Sequence, residues 1–137
     1  MVNKHGVKSF IDNIEHSKEE ILEIFDLIRI LKAADYDNVK FTNLLQDASV
    51  AMIFEEPSTR TRVSFEVAME DLGGHALYLK PGEIHFGSHE ALQDTTEVLS
   101  RMCKGIVIRT VEHQTVLDIA NNAKVPVFNA MTYYIHP

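Results

Sequence analysis

Four short apolar runs, Ser49–Phe54, His75–Leu79, Gly105–Arg109 and Val125–Asn129, are separated by longer segments of helical periodicity. Runs of that length read as strands buried in a parallel sheet. The first intervening segment, from the loop Glu55–Ser58 to Leu72, puts Phe65, Ala68, Met69 and Leu72 on one helix face, and Gly73-Gly74 ends it. The second, Glu90–Met102, turns Leu92, Leu99 and Met102 inward, and the third, His113–Ala123, aligns Val116, Ile119, Ala120 and Ala123. Strands of about five residues alternating with helices of about twelve predict βα units. The expected fold is α/β, a parallel sheet of about four strands with helices on both faces.

An additional helix precedes the first strand. Ser17-Lys18-Glu19-Glu20 has the capping-box pattern, a hydroxyl cap answered three residues later by Glu. Ile21, Ile24, Phe25, Ile28 and Leu31 follow at helical spacing, then a polar connection around Asp35–Asn43. Lys80-Pro81-Gly82 breaks the chain after the second strand, and a polar loop runs through His89. There is no internal repeat. At 137 residues the chain fits one domain with a real core.

A formal charge of −7 argues against nucleic acid, whose phosphate backbone needs a concentrated basic surface. The lone Cys103 forms no internal disulfide, which points to a reducing cytoplasm, and its apolar surroundings predict packing rather than nucleophilic chemistry. The first twenty residues lack the apolar core of a signal peptide, and no run approaches the roughly 20 apolar residues that span a bilayer.

The chemistry concentrates in Ser58-Thr59-Arg60-Thr61-Arg62, between a strand and a helix. Free N–H groups at a helix start, with the helix dipole, favour an anion. Ser58, Thr59 and Thr61 add hydroxyl donors, and Arg60 can grip two oxygens with full charge. The alternative is a capped helix start with exposed arginines. Walker glycines and the Lys-Ser/Thr ending are absent. His85 and His89, four apart, read as loop residues without the companion ligands of a metal site. Arg109 and Tyr133–Pro137 end predicted strands, where ligands gather in such sheets.

Phe54-Glu55-Glu56-Pro57-Ser58-Thr59-Arg60-Thr61-Arg62, continuing through Ser64-Phe65-Glu66 to Leu72-Gly73-Gly74, resembles the carbamoyl phosphate loop and helix of the aspartate/ornithine carbamoyltransferase family. Asp94-Thr95, Val98–Arg101, Arg109, Val125-Pro126-Val127, Asn129 and His136-Pro137 follow in that family's order. The resemblance covers about residues 45–137 and is nearer the ornithine/putrescine branch. It implies the N-terminal, carbamoyl phosphate-binding domain of a two-domain cytoplasmic enzyme of arginine and polyamine metabolism. There an amine attacks carbamoyl phosphate and phosphate leaves, without metal or cofactor. By the resemblance, carbamoyl phosphate is bound by Ser58, Thr59, Arg60, Thr61, His85, Arg109 and His136. Arg60, Arg109 and His136 are the catalytic set, His136 donating towards the carbonyl oxygen.

Three departures from the family pattern stand out. His85 occupies a position where such enzymes usually carry Gln, in a loop that in the family reaches a neighbouring subunit's site in a homotrimer. Asn129-Ala130-Met131-Thr132-Tyr133-Tyr134 replaces a more usual Asn-Gly-Leu/Met-Thr/Ser-Asp series. The second, amine-binding domain is absent from the chain, so no turnover is expected of it alone. A stand-alone anion-binding or oligomerisation module is the competing expectation. A nucleotide-binding α/β domain would fit the rhythm but lacks its glycine-rich loop.

Overall fold

The computed structural model describes residues 1–36, 41, 43–84 and 89–137. A single 3-10 turn, Asn13–Glu15, precedes α1 (Lys18–Tyr36), β1 (Ser49–Phe54), α2 (Thr59–Asp71), β2 (His75–Leu79), α3 (His89–Met102), β3 (Gly105–Arg109), α4 (His113–Asn122) and β4 (Val127–Met131). The four strands are all parallel, in the order β2-β1-β3-β4. The chain moves from β1 outward to β2, then returns across β1 to β3. That reversal leaves a crevice between the carboxyl ends of β1 and β3, the usual ligand position in open α/β sheets.

Alternation along the strands divides the core between two faces. Ile53, Ile106, Ile108 and Val127 meet Leu92 of α3 and Val116, Ile119 and Ala120 of α4. Met52, Phe54, Val107 and Ala130 form a smaller cluster on the other face, joined by Phe65 of α2 and by Tyr78. Burial of the first set contributes roughly 1.5–3 kcal/mol per large side chain. Helices therefore cover both faces, as the rhythm predicts, but unevenly. Along α1, Leu22, Ile24, Phe25, Leu27, Ile28 and Ile30 remain exposed, as do Val63 and Val67 of α2.

Local signals explain most boundaries. The capping box at α1 is complete: Glu20 N–H donates to Ser17 Oγ at 3.2 Å, and Ser17 N–H donates to Glu20 Oε2 at 3.0 Å. At the end of α2, Gly73 lies at φ 84°, with Gly73 N–H donating to Glu70 O and Gly74 N–H to Met69 O. This paired arrangement closes the helix with a left-handed glycine. α1 extends through Tyr36, so Asp35 is helical, and most of the expected connection lies outside the described residues.

Two expectations need correction. Met102 is 74% exposed, not inward; Leu92 and Thr96 are the buried residues of α3, and Cys103, just past its end, is buried as well. Thr96 fits there because its hydroxyl donates to Leu92 O of the preceding turn. The fourth strand runs Val127–Met131, two residues later than Val125–Asn129. Ala123 caps α4 and Pro126 has no N–H to give a ladder, although its carbonyl accepts from Ile106 N–H at 2.9 Å.

The N-terminal segment closes the outer edge of β4. Phe10 bridges Phe128, donating to Val127 O at 2.8 Å and accepting from Asn129 N–H at 2.9 Å. Ile11 enters the core, and Asn3 Nδ2 donates to Ala120 O and Ala123 O, each at 2.7 Å. An edge strand with open N–H and C=O groups is thereby covered.

Gly74 packs so closely that a Cβ there would lie 2.5 Å from Met69 Cε and 3.0 and 3.1 Å from the carbonyls of Ala48 and Leu45. The methionine tip can swing away; the two backbone oxygens cannot. Gly74→Ala should lower stability by about 1–3 kcal/mol, measured by urea denaturation. An unchanged midpoint would show that the α2–β2 turn relaxes freely.

Candidate functional site

Ser58 stands as the N-cap of α2 with extended backbone, yet its side chain makes no capping hydrogen bond. The hydroxyl instead accepts from Arg109 Nη1 at 3.3 Å, across the crevice between β1 and β3. Two consequences follow. The first N–H groups of α2 have no side-chain partner, which leaves an anion-attracting helix start open. The hydroxyl hydrogen of Ser58 also stays free to donate outward, because the bond uses only its oxygen.

Thr59, Arg60 and Thr61 form the first turn of α2, with Thr59 and Arg60 exposed. Arg60 has no hydrogen-bond or salt-bridge partner among the described residues, so its guanidinium is uncommitted. It lines, with Thr59, one end of a groove of about 760 Å³ that continues along Leu31, Val63, Val67 and Leu72 between α1 and α2. Arg62, by contrast, is drawn off the loop. Its Nε donates to Glu66 Oε1 at 2.9 Å, and its guanidinium lies 4.0 Å from the centre of the Tyr78 ring. Of the motif's two arginines, one faces solvent at the helix start and one braces α2 to β2.

Arg109 ends β3, where a register shift opens between it and Ile108: Ile108 faces Asn129, whereas Arg109 faces Met131. The bulge in β4 thus falls beside the site, a common place for one. Met131 carries φ 148°, and its N–H donates to Asn129 Oδ1 at 3.0 Å. The Arg109 Nε is buried and has no hydrogen-bond partner among the described residues. Beyond the bulge the buried Thr132 heads a turn, its Oγ accepting from Ile135 N–H at 3.1 Å and Tyr134 N–H at 3.3 Å. His113 Nδ1 lies 3.2 Å from the same oxygen. This turn delivers His136, which is exposed and makes no hydrogen bond to Ser58 or Arg109 among the described residues.

The structure therefore brings Ser58 and Arg109 into contact and sets Thr59, Arg60 and Thr61 at the adjoining helix start, whereas His136 is exposed beyond β4 and contacts none of them through a hydrogen bond among the described residues. His85 lies outside the described residues. No cluster of three or more His, Cys, Asp or Glu suited to a metal occurs among the described residues. No described helix is long and apolar enough to cross a membrane. Cys103 is buried, which pushes its thiol pKa up and suits packing.

Sequence reasoning missed the carboxylates that tie these loops together. Glu55 Oε2 accepts from Val111 N–H at 2.8 Å and from the Thr110 hydroxyl. Glu56 Oε1 accepts from the Tyr133 hydroxyl at 3.1 Å. Glu55-Glu56 immediately before an arginine loop was a visible signal; its partners, reached only through β3 and β4, were not.

Residues 8–137 match the family described as aspartate/ornithine carbamoyltransferase, carbamoyl-P binding domain. The putrescine carbamoyltransferase of Mycoplasma capricolum is 58% identical over 131 residues, which are 96% of this chain and 36% of that protein. The ornithine carbamoyltransferase of Archaeoglobus fulgidus is 46% identical over 131 residues, 96% of this chain and 42% of that protein. Among solved structures, ornithine carbamoyltransferase from Pyrococcus furiosus superposes with a TM-score of 0.91 at 40% identity, covering 95% of this chain and 41% of that one. The chain thus spans well under half the length of the relatives it matches.

Glu56, as acceptor and as a neighbouring charge, holds the Tyr133 phenol above its ordinary pKa. Because the phenol is held protonated, the tie between the loops is fully present below the usual tyrosine pKa and is lost only as pH rises through the higher, folded-state value. Glu56→Gln should return Tyr133 to an earlier titration, read at 295 nm with Tyr133→Phe assigning the signal. Coincident curves for wild type and Glu56→Gln would contradict this bond.

Proposed function

The chain belongs to the aspartate/ornithine carbamoyltransferase family, and on that premise we propose that it is the carbamoyl phosphate-binding half of an enzyme that carbamoylates an amine and releases phosphate. The observation that carries this reading is the uncapped start of α2, with Ser58 turned to Arg109 and Arg60 uncommitted beside it. A dianionic phosphate placed there meets backbone N–H groups, the Ser58, Thr59 and Thr61 hydroxyls, and the Arg60 charge.

Arg109 holds a phosphate or carbonyl oxygen, and His136 donates towards the carbonyl oxygen. As the amine attacks, negative charge grows on that oxygen and on the departing phosphate. Fixed donors at both places lower the barrier, each typically worth a hundredfold or more in rate. Holding both substrates together adds a proximity contribution.

For the acceptor, ornithine and putrescine are the candidates, and the greater identity to a putrescine carbamoyltransferase favours putrescine. The amine-binding domain lies in sequence outside this chain. The exposed apolar residues of α1 and α2 support an arrangement in which further protein packs on that face. We assign the enzyme to the cytoplasm as a homotrimer.

Arg60→Ala should weaken carbamoyl phosphate binding by about ten- to a hundredfold, the loss expected for a charge-assisted contact. Isothermal titration reads this directly, and equal affinity in the variant would sink the assignment. Assays of the longer protein with ornithine, putrescine and aspartate then identify the acceptor; the reading expects turnover with one of the first two and none with aspartate.

A further inference from the structure

We propose that Glu55 is a positioning residue of this site: a single carboxylate oxygen that fixes the gap between Ser58 and Arg109. The proposal rests on the carbamoyl phosphate reading above for its ligand, but its geometry stands independently. Glu55 is the first residue beyond β1 and lies three before Ser58. Its N–H donates to Arg109 O at 2.8 Å, which extends the β1–β3 ladder by one rung past the strand. Its Oε2 then accepts from Thr110 Oγ and from Val111 N–H, the two residues that follow Arg109. Arg109 is thus held from its C-terminal side, at its own carbonyl and through the next two residues.

The same clasp reaches the third strand. Thr110 N–H donates to Met131 O and Tyr133 N–H donates to Val111 O, each at 3.2 Å. Whatever fixes Thr110 and Val111 therefore also fixes the exit of β4, from which the His136 turn departs. Thr110 is only 4% exposed, so deleting its acceptor strands a buried donor.

Charge makes the role testable by sign. A carboxylate beside an anion site repels the ligand. If Glu55 acted through its field alone, every neutral replacement would tighten phosphate binding. A positioning role predicts the opposite for alanine. Glutamine separates the two, because both bonds enter one oxygen: an amide carbonyl placed there accepts both while carrying no charge. Aspartate, one methylene shorter, keeps the charge but falls short of Thr110 and Val111.

The experiment titrates carbamoyl phosphate and inorganic phosphate into wild type, Glu55→Ala, Glu55→Gln, Glu55→Asp and Thr110→Val, with circular dichroism to establish folding. Crystal structures of wild type and Glu55→Ala give the Ser58–Arg109 separation. Positioning predicts binding about tenfold weaker in Glu55→Ala and Glu55→Asp, within about twofold of wild type or tighter in Glu55→Gln, and about fivefold weaker in Thr110→Val. It also predicts that the 3.3 Å Ser58–Arg109 contact opens in Glu55→Ala. A folded Glu55→Ala that binds as well as wild type, or better, overturns the proposal. If Glu55→Ala does not fold, undiminished binding by Thr110→Val overturns it. If wild type binds neither anion, the carbamoyl phosphate reading falls by itself. Glu55 is then judged by the Ser58–Arg109 separation alone, and an unchanged distance in Glu55→Ala refutes it.

Discussion

The parallel pairing of β1 with β3 is the constraint on which the rest of the molecule depends. Its register runs from Val50 opposite Gly105 to Phe54 opposite Arg109. Because successive side chains point to opposite faces, a one-residue slip would send Ile53 and its neighbours to the α2 side and Met52 and Phe54 to the α3–α4 side. The same slip would move Arg109 by about 3.3 Å relative to Ser58. One register therefore sets both the hydrophobic core and the width of the crevice. The outward turn to β2 and the return to β3 then open that crevice at the carboxyl end and nowhere else in the sheet.

Capping of α2 and the tie across the crevice compete for the same Ser58 hydroxyl. A serine at an N-cap ordinarily accepts from the helix's own N–H groups, and losing that bond costs about 1 kcal/mol. Here the hydroxyl is held by Arg109, and the helix start goes without a side-chain cap. A helix packed through Phe65 and Met69 and closed by Gly73 and Gly74 tolerates such a loss. The apolar faces of α1 and α2 show a related imbalance, with large side chains left exposed among the described residues.

Much of this was legible because it is local. The strand and helix rhythm depends on periodicity, the α1 start on a four-residue capping box, and the end of α2 on paired glycines. Ser58, Arg60 and Arg109 could be chosen because a strand–loop–helix passage needs little knowledge of distant residues. Non-local contacts hid what the sequence could not disclose. Met102 has the spacing of an inward residue, yet it is exposed, while Thr96 and Cys103 are buried. The start of β4 follows from pairing with Phe10, more than a hundred residues earlier, and Glu55 finds its donors only after β3 has been laid beside β1.

Pairing between the first and last strand-like segments has a consequence for how the chain is made. Ile11 O accepts from Asn129 Nδ2 across a separation of 118 residues. At translation rates of about 5–20 residues per second, Phe10 and Ile11 leave the ribosome roughly 6–24 s before β4 does. During that interval two large apolar residues have no seat, and the outer edge of the sheet does not yet exist. The nascent chain can assemble β1, β2 and β3 in order of synthesis, but the domain closes only when its last strand emerges and its first residues return to meet it.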